Sequence, residues 1–178
     1  NGTDKADVPL MSVIAPKMQN YYFTEDEVSK ADEFDISEDG KTVLAYNGNA
    51  KKIVFPSTVK SVAGGWYSGE HPENVKVIIV PDNIIEIPEQ FAYGFNYLEA
   101  CYLSNGLDQV PGYAFDRCYY LQYLHIPEEA EMIGATAFRY TILPELYIPT
   151  TVENIGANAF WNAHTKNYNL PKNISIAA

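Results

Sequence analysis

Cysteine is scarce in this chain, with Cys101 and Cys118 the only two among 178 residues. Neither belongs to a CxxC pair or to a Cys/His group at zinc-like spacing, so a structural metal site has no support. Two cysteines can bridge in an exported protein, but the repeat register derived below puts Cys101 in a strand and Cys118 on the opposite side of the same coil. Both are therefore read as free thiols of the core. Long apolar runs are missing too. No stretch approaches the ~20 apolar residues that cross a bilayer, and no charged-then-apolar leader opens the sequence, so the chain is read as soluble or already processed, with no membrane span. Basic residues number 12 against 23 acidic, a net charge of −11. Without clustered Lys and Arg to displace counterions, nucleic acid is excluded as a partner. His71, His125 and His164 are spread over different coils, with no GxSxG, HExxH, P-loop or dinucleotide fingerprint nearby. Glu128, Glu129 and Glu131 cluster but lack the oxygen-rich loop of a calcium site. No catalytic residue, metal or cofactor is assigned, and the chain is not read as an enzyme.

What the chain does contain is composition for one ordinary domain, 47% apolar and 20% charged, which rules out disorder as the whole answer. The acidity is concentrated in front: residues 1–40 hold 10 acidic and 3 basic side chains, net −7, against 13 and 9, net −4, in residues 41–178. Asn1–Pro9 is polar and aperiodic, which suggests a tether.

The strongest signal is self-similarity. Phe55-Pro56, Val80-Pro81, Ile126-Pro127, Ile148-Pro149 and Leu170-Pro171 recur, and Leu103-Ser104 fills the vacant register, giving separations of 25, 23, 23, 22 and 22 residues. Such periods belong to short-coil solenoids rather than to paired-helix repeats. Three residues and one residue before each anchor stand Ile53 and Phe55, Ile78 and Val80, Cys101 and Leu103, Leu124 and Ile126, Leu146 and Ile148, Tyr168 and Leu170. That period of two predicts one short parallel strand per coil. Further apolar positions follow at three and six residues past the anchor, then Gly134 or Gly156, where the chain is expected to turn with positive φ, with Pro88 and Pro111 as the fixed-φ alternative. Phe115, Phe138 and Phe160, each preceded by Ala, come eleven past their anchors, as expected if a ring fills the far side of each coil. Phe91 and the Trp66-Tyr67 pair are assigned the same job.

These residues carry a resemblance. Ile126-Pro127 to Ile133-Gly134 to Ala137-Phe138, and Ile148-Pro149 to Val152 to Ile155-Gly156 to Ala159-Phe160, are similar to the BspA-like leucine-rich repeats of bacterial surface proteins. Ala114-Phe115-Asp116-Arg117-Cys118 extends the likeness, which covers about residues 40–178 and is looser in the first coils. The resemblance implies adhesion, including attachment to host matrix proteins and to other cells; a secreted or cell-surface location, with anchoring through a removed N-terminal segment, is the accompanying expectation.

The expected fold is a β-rich leucine-rich-repeat solenoid of about five to six coils. Residues 1–33 are read as a linker with a short helix from a Thr24/Glu27 capping box through about Lys30. Residues 34–50 form a capping hairpin turned at Asp39-Gly40, and 51–178 form the repeats. The last coil, from Asn169, lacks an Ala-Phe element, so either its strand is a natural lid or a further partner covers it, and an exposed apolar final strand would favour self-association.

If the −3 and −1 positions point inward, the pleat sends −2 and −4 to the other face. There Ile79, Tyr102, Tyr123, His125 and Tyr147 form the candidate ligand-binding face for an extracellular or host protein or a glycan, since Tyr joins ring area to a hydroxyl at low entropy cost. The alternative is that Tyr merely favours strands and cross-strand stacking. A structural spacer or self-assembling segment is the competing function.

Overall fold

A computed structural model describes residues 22–172 and 174–177. Residues 34–46 alternate around a Ser-Glu-Asp-Gly turn, and they form an antiparallel pair, β1 (Phe34–Ile36) and β2 (Thr42–Tyr46), with a bulge between Asp35 and Ile36. The turn closes because Asp39 accepts from the Ser37 hydroxyl and the Lys41 amide, while Gly40 takes φ +72°. The hairpin expectation holds.

The expected helix from the Thr24/Glu27 capping box forms only as a single 3-10 turn, Glu25–Glu27, and stops short of Lys30; a second 3-10 turn follows at Ala31–Glu33. In each, the closing glutamate accepts from a backbone N–H three residues back, Thr24 for Glu27 and Lys30 for Glu33. Between the turns the chain is extended, because Val28 pairs with Lys52 and the Ser29 hydroxyl sits between the amide and carbonyl of Val54. The edge of the first coil thus finds its backbone partners in this segment, which tertiary pairing holds extended against its local helix signal.

Beyond the hairpin the chain winds as a solenoid. One parallel sheet has the order β3 (Lys52–Val54), β5 (Val77–Ile79), β6 (Ala100–Tyr102), β8 (Tyr123–His125). Its register sets Val54 beside Ile79, Ile79 beside Tyr102 and Tyr102 beside His125. The inward residues Ile53, Phe55, Ile78, Val80, Cys101, Leu103 and Ile126 are buried, as the period of two requires. Leu124 is only half-buried, and Leu170, in the last coil with no following coil to cover it among the described residues, is 45% exposed.

The structure adds a second strand to most coils. Ser61–Val62 (β4), Gln109–Val110 (β7), Met132–Ile133 (β9), Asn154–Ile155 (β11) and Ser175–Ile176 (β13) lie five and six residues past the anchors or close to it. β7, β9, β11 and β13 form a parallel sheet, and β4 pairs with β2. Two residues are too few to show an alternation, so the only trace of this layer in the sequence is the apolar residue six past the anchor, Val62, Val110, Ile133 and Ile155. The first sheet stops at β8. Glu145–Leu146 (β10) pairs instead with Asn167–Tyr168 (β12), so a single continuous ladder through all coils, as expected from sequence, is not what forms.

At three of the proline anchors the carbonyl accepts from the amide three residues on: Pro81 from Ile84, Pro127 from Ala130, Pro149 from Val152. Proline lacks a donor but keeps its acceptor, which is why it ends the ladder and still closes the turn. Ser104 does the same in the vacant register, and its hydroxyl also accepts from the Gly106 amide at 2.9 Å.

Gly134 and Gly156 act differently from expectation. Neither has positive φ; a Cβ on Gly134 would lie 2.6 Å from the Pro111 carbonyl carbon, and one on Gly156 2.7 Å from Ala135 Cα. They are small because adjacent coils touch backbone to backbone. The left-handed backbone falls instead on Gln90, Tyr113, Thr136 and Asn158, and four residues later on Gly94, Arg117, Tyr140 and Asn162. Inside, Trp66, Phe91, Phe115, Phe138 and Phe160 stack from coil to coil with centroids 5.2–6.4 Å apart. Cys101 and Cys118 are buried free thiols, as read from the sequence.

Candidate functional site

The outward residues of the first sheet start from strand register. Tyr102 and His125 occupy equivalent positions on neighbouring strands, and their rings stack at 4.4 Å and 7°. Just past the strands, Asp82 and Asn105 rise from consecutive turns. The Tyr102 hydroxyl donates to Asp82 at 3.2 Å and accepts from the Asn105 amide at 2.7 Å. Asn105 also meets His125 Nε2 at 2.9 Å. Burial, with the Asp82 carboxylate nearby, pushes the Tyr102 phenol up to about 12. Burial lowers the His125 imidazole, against an opposing pull from Asp82. The four side chains therefore satisfy one another, with a neutral phenol and a neutral imidazole at neutral pH.

The five candidates separate accordingly. Tyr102 is only 3% exposed, so its ring is a structural member of the face and offers no open surface. Ile79, Tyr123 and His125 are half-buried. Tyr147 is 56% exposed, but it lies past β10 and outside the four-stranded sheet, not beside His125 on a neighbouring strand. Strand pairing brings Ile79, Tyr102, Tyr123 and His125 together and leaves Tyr147 on its own element.

A second surface was not singled out from the sequence. At the corner after each Ala-Phe element, Tyr97 stacks on Tyr120 at 5.3 Å, Tyr119 faces Tyr140 at 6.4 Å, and Tyr140 meets Trp161 edge-on at 5.2 Å. Tyr97, Tyr119, Tyr120 and Trp161 are all 40–53% exposed. Arg139 reaches over Tyr140 and forms a two-pronged ion pair with the fully buried Asp116. Arg117 lies over Tyr93. The signal was present as an aromatic residue within a few positions of every Ala-Phe, but a strand-based register does not say that this corner faces outward.

Among the described residues no group of His, Cys, Asp and Glu converges to hold a metal ion. His71 pairs with Glu73 at a surface turn, and His164 bridges to Ile142, so the three imidazoles do not meet. Both thiols are raised by burial, which keeps them in the unreactive protonated form.

Parallel coils with proline-ended strands, a stacked phenylalanine interior and outward aromatics define a leucine-rich-repeat-type β-solenoid. The profile of the BspA-type leucine-rich repeat region matches residues 40–168 in six copies, and the chain belongs to that family. Among solved structures, it is similar to a leucine-rich repeat protein from Bacteroides ovatus, with 21% identity, a TM-score of 0.67, and coverage of 85% of this chain but 42% of that one. The T. pallidum leucine-rich repeat protein is alike at 20% identity and TM-score 0.68, with coverage of 83% and 85%. The chain thus spans less than half the length of the Bacteroides protein. At these identities the likeness shows the fold. No curated protein matches the chain.

Proposed function

We propose that the chain is a non-enzymatic recognition module of a secreted or cell-surface protein, which presents the outside of a short solenoid to an extracellular or host protein or glycan and mediates adhesion. One observation carries this reading. With its core already filled, the solenoid leaves Tyr97, Tyr119, Tyr120, Tyr147 and Trp161 about half exposed. Exposed aromatic area of that extent on a soluble domain marks interaction surfaces, and Tyr and Trp dominate interface energetics. Membership of the BspA-type family supports a binding or repeat module of bacterial surface type. No helix among the described residues is long and apolar enough to cross a membrane.

Self-assembly is the second reading, favoured by the far end of the solenoid. There an apolar hollow of about 370 Å³ is lined by Leu146, Ile148, Ile155, Phe160, Leu170 and Ile176. A screen against immobilised matrix proteins and glycans tests the first reading, run with the parent chain, a Tyr123→Ala/Tyr147→Ala variant and a Tyr120→Ala/Trp161→Ala variant. Binding that falls in either folded variant is the expected result. No binding to any surface, together with concentration-dependent sedimentation abolished by Ile176→Glu, would replace recognition by self-assembly.

A further inference from the structure

The two ends of the solenoid differ. At the near end the first coil is covered, because Val28 bridges to Lys52 and the Ser29 hydroxyl bonds to the amide and carbonyl of Val54. At the far end β12 pairs with β10 alone and β13 with β11 alone, so each is an edge strand with no strand beyond it among the described residues. Beside that edge lies the apolar hollow, where Phe160 ends the ring ladder half-buried and Leu170 and Ile176 stay largely in water. A parallel edge next to an apolar hollow is completed by one more strand with the same inward pattern.

The chain carries such a strand outside its coils. Ser12-Val13-Ile14-Ala15-Pro16 repeats the order of Tyr123-Leu124-His125-Ile126-Pro127 and Glu145-Leu146-Tyr147-Ile148-Pro149, with apolar residues three and one before a proline. It is not a further coil at the near end. Pro16 stands 40 residues before Pro56, against 22–25 between the coil anchors. Three and six residues past it come polar Gln19 and Tyr22, the latter 89% exposed, where the coils place buried apolar side chains. The segment is thus a strand and an anchor without the rest of a coil. Residues 10–16 lie outside the described residues. They carry no charge, so burying them against a chain of net charge −11 leaves no ion unpaired.

Reach decides which solenoid accepts the strand. From the Val28 bridge to a rung beyond β12 is seven strand spacings, about 34 Å. The link from Pro16 to Val28 includes the Glu25–Glu27 turn and spans about 38 Å only when otherwise fully straight, which leaves no slack to turn into the strand direction. A second copy has no such limit.

We propose that the far end of each solenoid is completed by residues 10–16 of a second copy. Val13 and Ala15 continue the inward rows of Leu146 and Ile148, the backbone adds a parallel strand beside β12, and copies join head to tail. This rests on the self-assembly reading above, names the segment that docks, and leaves recognition independent of it.

Sedimentation velocity of the full chain over about a hundredfold range of concentration tests it, and the expected result is a mass that rises from monomer to dimer and longer species. Val13→Glu/Ala15→Glu, on the donor side, should raise the concentration needed for assembly by about tenfold or more, with an unchanged circular dichroism spectrum. Leu170→Glu, on the acceptor side at a position already 45% exposed, should do the same. Mixed together, the two variants should form a one-to-one complex and nothing longer, since one keeps a working acceptor and the other a working donor. A parent chain that stays monomeric, or a mixture that does, overturns the proposal. Assembly that survives Val13→Glu/Ala15→Glu but is lost in Leu170→Glu overturns this occupant and leaves self-assembly through the far end standing.

Discussion

Gly134 and Gly94 are constrained for different reasons, and substitution separates them. Gly134 has ordinary φ, but a Cβ there would strike the backbone of the preceding coil at Pro111 and Gly112. Backbone cannot rotate aside like a side chain, so Gly134→Ala should cost about 2–3 kcal/mol in chemical denaturation. Gly94 has φ +75° and open space around it, so Gly94→Ala should cost about 1 kcal/mol, from left-handed strain alone. The Tyr102–His125 pair adds a pH dependence. His125 is depressed below its ordinary 6.5, so as pH falls past that value the unfolded state takes up a proton before the folded state does, and stability drops. Tyr102 and Tyr46 are both raised from 10.0 to about 12, so their contribution is complete below pH 10 and is lost as pH rises through about 12. Thermal melts across pH should show a plateau between these limits, and His125→Gln should flatten the acid side only.

At the level of the element, the interior ladder and the corner ion pair differ in kind. Phe138 is fully buried between Phe115 at 5.8 Å and Phe160 at 5.2 Å. Phe138→Ala leaves a cavity open to both neighbouring coils and should cost about 3–5 kcal/mol, whereas half-buried Phe160, last in the ladder, should cost clearly less. Arg139→Ala strips the partner from a carboxylate with no exposed surface and should cost about 3 kcal/mol; Asp116→Asn in the same background should recover much of that loss, since it removes the stranded charge. These elements were unequally legible. The first-sheet strands and phenylalanine ladder could be read because each repeats a side-chain requirement at fixed spacing. In the second sheet only the buried residue six past each anchor could be read, not its strand form, since two residues of strand carry no alternation. The Thr24 capping box was chemically sound, yet backbone pairing of Val28 and Ser29 with the first coil set the outcome.

Across the whole molecule, stability should grade from one end to the other, because each coil is held mainly by its neighbours. The near end is closed by the hairpin and by the Val28–Lys52 bridge. At the far end Leu170 and Ile176 are 45% and 59% exposed over the apolar hollow. Amide exchange should therefore be fastest in β11 and β13 and slowest in β5 and β6. Uniform protection along the chain would contradict independent stacking. The same asymmetry shapes the candidate surfaces. Tyr147 does not continue the first sheet because the ladder breaks before β10, and the exposed aromatics gather on a corner that no strand defines.

The sequence by itself determined the coil length, the inward residues and the family, since burying one side of every turn imposes a recurring apolar pattern that a linear reading detects. Only the tertiary structure decided which outward residues are available. Exposure depends on what packs over a side chain from other coils, and those contacts buried Tyr102 beneath a polar network while leaving Tyr120, Tyr147 and Trp161 in water.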